Sequence, residues 1–147
     1  RHYPLVLVDG DEVAPGVRLR RGRFELPRSL AGQGAGHFEA WYRRRAIEVL
    51  AARVAHFSPL VGVAPPVVTV KAMRSRWGSC SSRGRISLHW GLVTLPSALT
   101  DYVVVHELCH LHEMNHGVAF WRRVEAVVPD HRARRVRLRA AGSRVVL

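Results

Sequence analysis

His106 and His110 stand four residues apart with Glu107 beside the first of them, inside the run HELCHLHEMNH that fills residues 106–116. On a helix, positions i and i+4 leave the same face one turn apart, so the two imidazoles can share one zinc ion. Glu107 adjoins them, where a carboxylate serves as general base for a metal-activated water attacking a carbonyl. His116 follows six residues after His110, and Asn115 and Gly117 around it can turn the chain back to bring in a third nitrogen. Three nitrogens and one open position describe a hydrolytic zinc site rather than a structural one. The expected assignment is therefore His106, His110 and His116 as Zn2+ ligands and Glu107 as the catalytic base.

Histidine is common in this chain, and random order alone would produce HExxH with a probability of roughly 2–3%. The surroundings separate the motif from chance. Tyr102, Val103, Val104 and Val105 precede it, and Leu108, Cys109 and Leu111 interleave it, an apolar stretch long enough for a buried helix. Burying two histidines and a glutamate there without a partner is costly, and a metal removes the difficulty. Pro96 and Ser97 offer a start signal, with Ser97 as N-cap and a helix expected to about Met114. The interval from His110 to His116 is that of metzincin-type proteases, but the glycine those carry three residues after the second histidine is Glu113 here. The chain is then expected to turn near Met114 and Asn115, where asparagine tolerates the left-handed conformation. Glu125, on a following helix, is the competing third ligand. Cys80 is a less favoured fourth ligand, His112 points off the ligand face, His131 has no assigned role, and His89 is a candidate on the substrate side. Phe120 and Trp121 read as core.

The elements that must hold these groups follow from periodicity. Leu5–Val8 is a short apolar run, and residues 17–26 alternate around Arg21 and Gly22 as a β-hairpin. From His37 to about Phe57, Phe38, Trp41, Ile47, Leu50, Val54 and Phe57 recur at helical spacing. Residues 67–73 and 86–93 read as strands, joined by a polar loop carrying Trp77. Residues 118–127 and the arginine-rich stretch from Asp130 to about Ala141 read as two closing helices. This order implies an α+β domain in which a small antiparallel sheet packs on the HExxH helix. With 147 residues, a single domain is expected, β-rich over residues 1–35 and with its zinc-site core at 67–128.

The formal charge is +12, carried almost entirely by arginine, with clusters in residues 18–23, 43–45, 74–85 and 122–139. Such a surplus is compatible with non-specific binding to nucleic acid, and equally with compositional bias. No apolar run reaches 18 residues, so no membrane span is expected, nor is a charged-then-apolar leader read at the start. Two cysteines, one of them inside the buried helix, make no disulfide framework, and a cytoplasmic setting is expected. Oligomeric state is not legible.

Residues 75–81 (SRWGSCS), the strand 86–92, residues 101–111 (DYVVVHELCHL), and Asn115, His116 and Gly117 with Phe120 and Trp121 together resemble the YgjP-like metallopeptidase family, a relative of the SprT-like zinc proteases. The resemblance spans about residues 67–128. It implies a compact zincin-like (gluzincin-like) domain with His106, His110 and His116 on zinc, Glu107 catalytic, and a protein or peptide substrate. It also implies that the strand before the metal helix could hold an extended peptide by β-augmentation. Arg76 is left open and Trp77 is expected to be structural. The competing expectation is a DNA-associated protein module with a structural or weakly active zinc site.

Overall fold

The computed structural model describes residues 5–8, 18–21, 23–27, 32 and 34–142. The chain divides into two compact units, residues 1–45 and 46–147. In the first, β1 (Leu5–Val8) runs parallel to β3 (Arg23–Pro27), and β2 (Arg18–Arg20) pairs antiparallel with the other edge of β3. The hairpin expected around Arg21 is present, with Arg21 at φ 49° in the left-handed region. Phe24 is the buried centre of this unit. Phe38, Trp41 and Tyr42, from the start of α1 (Gly34–Val61), surround it, and the Phe38 and Trp41 rings meet it edge-on at 5.2 and 5.1 Å.

In the second unit, Leu50, Val54 and Phe57 are buried as read from the sequence, whereas Ile47 is 57% exposed and Ala46 beside it takes the core position. The helix runs one turn beyond its expected end at Phe57 and stops at Gly62. That residue has φ 83°, and the amides of Gly62 and Val63 both donate to the Ser58 carbonyl, at 2.9 and 3.0 Å. This closure needs a left-handed residue, which glycine supplies without a Cβ penalty.

The sheet of this unit corrects two expectations. The strands on either side of the polar loop, β4 (Val68–Lys71) and β6 (Ile86–His89), run parallel rather than antiparallel. The loop itself contains a further strand, β5 (Gly78–Cys80), which supplies the antiparallel neighbour of β6. The order is β4-β6-β5, so β6 lies in the middle. The alternation expected to continue to Val93 ends at His89, because Trp90–Thr94 coil into a 3-10 helix with Trp90, Gly91 and Leu92 all buried. The Gly91 amide donates to Nδ1 of His89 at 2.8 Å and holds the turn.

α2 (Ser97–Cys109) is buried on nearly every side and packs against β5, β6, the 3-10 turn, α3 (Val118–Val127) and α4 (His131–Gly142). Pro96, not Ser97, occupies the cap position, with no side-chain cap bond. Arg53 of α1 clamps Asp101 of α2 through two parallel bonds, Nε to Oδ1 at 2.8 Å and Nη2 to Oδ2 at 3.0 Å. Arg134 of α4 donates to the Ala98 carbonyl at 3.1 Å. No helix among the described residues is long and apolar enough to cross a membrane.

The forked Arg53–Asp101 pair is half-buried, so it contributes more than a surface ion pair and less than a fully desolvated one. Asp101→Ala is expected to lower the unfolding free energy by about 1–2 kcal/mol. A double-mutant cycle with Arg53→Ala, read by urea denaturation, should recover part of that loss as a coupling energy. A coupling indistinguishable from zero would mean that the clamp contributes nothing.

Candidate metal centre

α2 ends at Cys109, five residues short of the expected Met114, and His110 caps it at φ −64°, ψ −18°. The amides of His112 and Glu113 then both donate to the Cys109 carbonyl at 3.1 Å, so the chain turns immediately after His110. That early turn returns His116 to the two helical histidines. The Nε2 atoms of His106 and His110 are 3.3 Å apart, those of His116 and His106 3.3 Å, and those of His116 and His110 3.0 Å.

The triangle has the size a metal requires. Two nitrogens bound tetrahedrally to zinc at about 2.05 Å lie about 3.3 Å from each other. Hydrogen bonds between the rings cannot account for all three contacts at once. Nδ1 of His110 faces the Glu113 carbonyl at 3.0 Å, and a carbonyl only accepts, so the proton sits on Nδ1 and the Nε2 lone pair points into the triangle. Nδ1 of His106 lies 3.4 Å from the Tyr102 hydroxyl, which can orient that ring in the same way. The three histidines are the group whose ligand atoms converge among the described residues. Glu125 and Cys80 are not part of it. Half-buried Cys80 directs its thiol toward the Ser81 carbonyl at 3.6 Å.

Burial sets the charge state. His106 is held down to about 3, chiefly by desolvation and then by the neighbouring His110, His116 and Arg135. Desolvation lowers His110 as well, against its bond to Glu113. Neutral imidazoles are the form that binds metal. Exposure increases from buried His110 through His106 to exposed His116, so the group opens on the His116 side.

Glu107 is 6% exposed, and burial pushes its carboxyl up to about 7, with Arg76 pulling the other way. It packs against β5, where a Cβ on Gly78 would lie 3.0 Å from its Cγ and 3.2 Å from its Oε1. Any side chain at 78 would displace the carboxylate, so the glycine sets how closely strand and helix approach. The sequence carried that signal as a lone glycine in a stretch that proves to be strand.

The rings around the group divide its surroundings into core and wall. Phe120 is fully buried and stacks on His110 at 4.5 Å, as expected of a core residue. Trp121 is only half-buried and lies between His116 and His131, at 6.0 and 5.3 Å. It therefore lines the site's open side, where the sequence suggested core. His89 is buried and braces the 3-10 turn, so it is not a substrate-side residue. His112 leaves the ligand face as expected, and its Nε2 meets the Val61 carbonyl at 3.1 Å. Trp77 packs edge-on against His89 at 5.3 Å, in the structural role expected of it.

The family model described as "YgjP-like, metallopeptidase domain" matches residues 1–141. Among solved structures, the chain is similar to the metallopeptidase zymogen of Pyrococcus abyssi abylysin, with 27% identity, a TM-score of 0.55, and 62% of this chain and 90% of that one covered. It is also similar to the metallopeptidase zymogen of Methanocaldococcus jannaschii jannalysin, with 21% identity, a TM-score of 0.47, and coverage of 52% and 78%. No curated protein sequence matches the chain.

The raised Glu107 carboxyl gives a signed prediction for the metal-free protein. Unfolded, the group ionises near 4.5; folded, it keeps its proton to about 7. Between those values the folded state binds more protons, so this group's contribution to stability falls as pH rises and is fully lost above about 7. The lowered His106 gives the opposite slope between about 3 and 6.5, but it is common to the native chain and the variant. Metal-stripped Glu107→Gln is thus expected to gain stability relative to the native chain across that interval and to hold a constant offset on either side. Urea unfolding at about pH 4 and about pH 8 reads the difference. An offset independent of pH would contradict a carboxyl kept neutral by burial.

Proposed function

The chain belongs to the YgjP-like metallopeptidase family, and on that footing we propose that it is a zinc-dependent endopeptidase with His106, His110 and His116 as ligands and Glu107 as general base. The observation that carries this reading is the Nε2 triangle, with separations of 3.0 to 3.3 Å, set beside a buried carboxyl. When bound there, zinc would supply Lewis-acid activation of a water and of the substrate carbonyl.

The residues of the chain do the rest. Glu107, desolvated and close to neutrality in its proton affinity, takes a proton on its carboxylate and returns it to the departing amine. Gly78 lets the backbone of β5 come against that carboxylate, and buried Phe120, in contact with all three imidazoles, keeps that side of the site dry. The Glu113 carbonyl and the Tyr102 hydroxyl orient two of the three imidazoles. β6 has neighbours on both edges and has no free edge to take a peptide. β5 is the edge strand beside Glu107, so an extended substrate is best accommodated along β5.

Glu107→Gln is expected to retain one zinc per chain and lose about 10²–10⁴-fold in turnover of a protein substrate such as casein. His116→Ala is expected to lose most of the metal. Elemental analysis and a quenched-fluorescence assay separate the two effects. Unchanged turnover in Glu107→Gln would remove that residue from the mechanism, and full metal retention in His116→Ala would remove the third ligand.

A further inference from the structure

Beside His116 the surface opens into a cleft of ≈ 640 Å³ running between α3 and α4. Trp121 and Val118 form its apolar part, and Arg122, Arg132 and Arg135 stand along it. Among the described residues none of these three arginines has a carboxylate partner, whereas Arg53, Arg123 and Arg134 each do. The Arg135 guanidinium lies over the Trp121 ring at 5.2 Å, which fixes a cation within the wall. His131, 7% exposed, also lines the cleft, and its ring Nδ1 has no hydrogen-bond partner among the described residues.

We propose that this cleft is a carboxylate-binding subsite in which Arg122, Arg132 and Arg135 hold a carboxylate of the peptide substrate next to the bond being cleaved. The inference rests on the peptidase reading and adds to it a preference among substrates. A guanidinium presents donors in a fork that matches a carboxylate, so three guanidiniums set against the single carboxylate of Glu125 in one cleft favour an anion. The carboxylate can come from an acidic side chain or from the C-terminus of the substrate. A nucleic-acid strand fits less well. Glu125 also lines the cleft, so the wall is not the unbroken positive track that a row of phosphates follows. Trp121 is flanked by His116 and His131 with Arg135 over its ring, leaving no open face for a base. No Phe, Tyr or Trp is among the exposed large hydrophobic side chains of the described residues.

Binding to the zinc-loaded, full-length Glu107→Gln protein tests the subsite without turnover. Three unlabelled, N-acetylated peptides of one sequence serve as probes, followed by isothermal titration calorimetry. One carries internal Glu residues and a C-terminal amide, one carries Gln and a free C-terminus, and one carries Gln and an amide. At least one of the two carboxylate-bearing peptides is expected to bind about tenfold more tightly than the neutral one, with the advantage shrinking as salt is raised. Which of the two binds tightly tells side chain from chain end. The advantage should vanish in Arg132→Ser/Arg135→Ser and return in part in Arg132→Lys/Arg135→Lys, which also shows that the fold has survived substitution. Equal affinities for all three peptides, or an advantage that persists in the serine variant, would overturn the subsite. So would a single-stranded oligonucleotide that displaces the Glu peptide and loses its own affinity with the same serine changes. Carboxylate binding without any cleavage by the native enzyme would instead sink the peptidase reading and leave the subsite standing.

Discussion

Three imidazole nitrogens aimed at one point are the constraint around which the second unit is organised. The three nitrogens crowd one another at 3.0 to 3.3 Å, and packing of the surrounding protein holds them there. His106 and His110 are fixed by a helix buried on almost every side. His116 is fixed by the abrupt turn after Cys109 and by the stack on Trp121. The apolar residues of α2 make this possible: Val103, Val104, Val105 and Leu108 anchor the helix in the core, so its polar residues have little freedom to relax away from one another.

The same burial sets the chemistry. A carboxyl in water is ionised well below neutrality. Placed against Gly78 on the sheet, the Glu107 carboxyl is pushed up by burial to about 7, a range that suits a general base. Burial disfavours the charged form of His106 and His110 for the same reason, and leaves neutral imidazoles, the form a metal binds. One environment, apolar and closed on the helix side and open on the His116 side, therefore acts on the Glu107 carboxyl and on His106 and His110 together.

The convergence of the three histidines was legible in the sequence because it is local. His106, Glu107 and His110 share one turn of helix, and His116 is near enough in sequence for a short turn to return it. The long periodic segments were legible too: α1, the start of α2 and the bounds of α3 all follow from apolar spacing. What failed depended on pairing between distant residues. β5 is three residues long and lies in a polar stretch with no alternation, so only its partner β6 reveals it as strand. Parallel against antiparallel pairing of β4 and β6 leaves no trace in either strand. His89 looked available because sequence does not show that the Gly91 amide occupies its ring. Trp121 looked like core because its spacing says nothing about which side of α3 faces an open cleft.

X-ray absorption at the zinc edge of the reconstituted protein tests the site most directly, because it reads ligand type, number and distance without reference to substrate. Three histidines and an open position require three imidazole nitrogens and one oxygen, all at about 2.0–2.1 Å, with the imidazole signal falling by one ring in His116→Ala. A sulfur shell at about 2.3 Å, or four protein ligands with no exchangeable oxygen, would mean a closed structural site and would contradict hydrolysis at this centre.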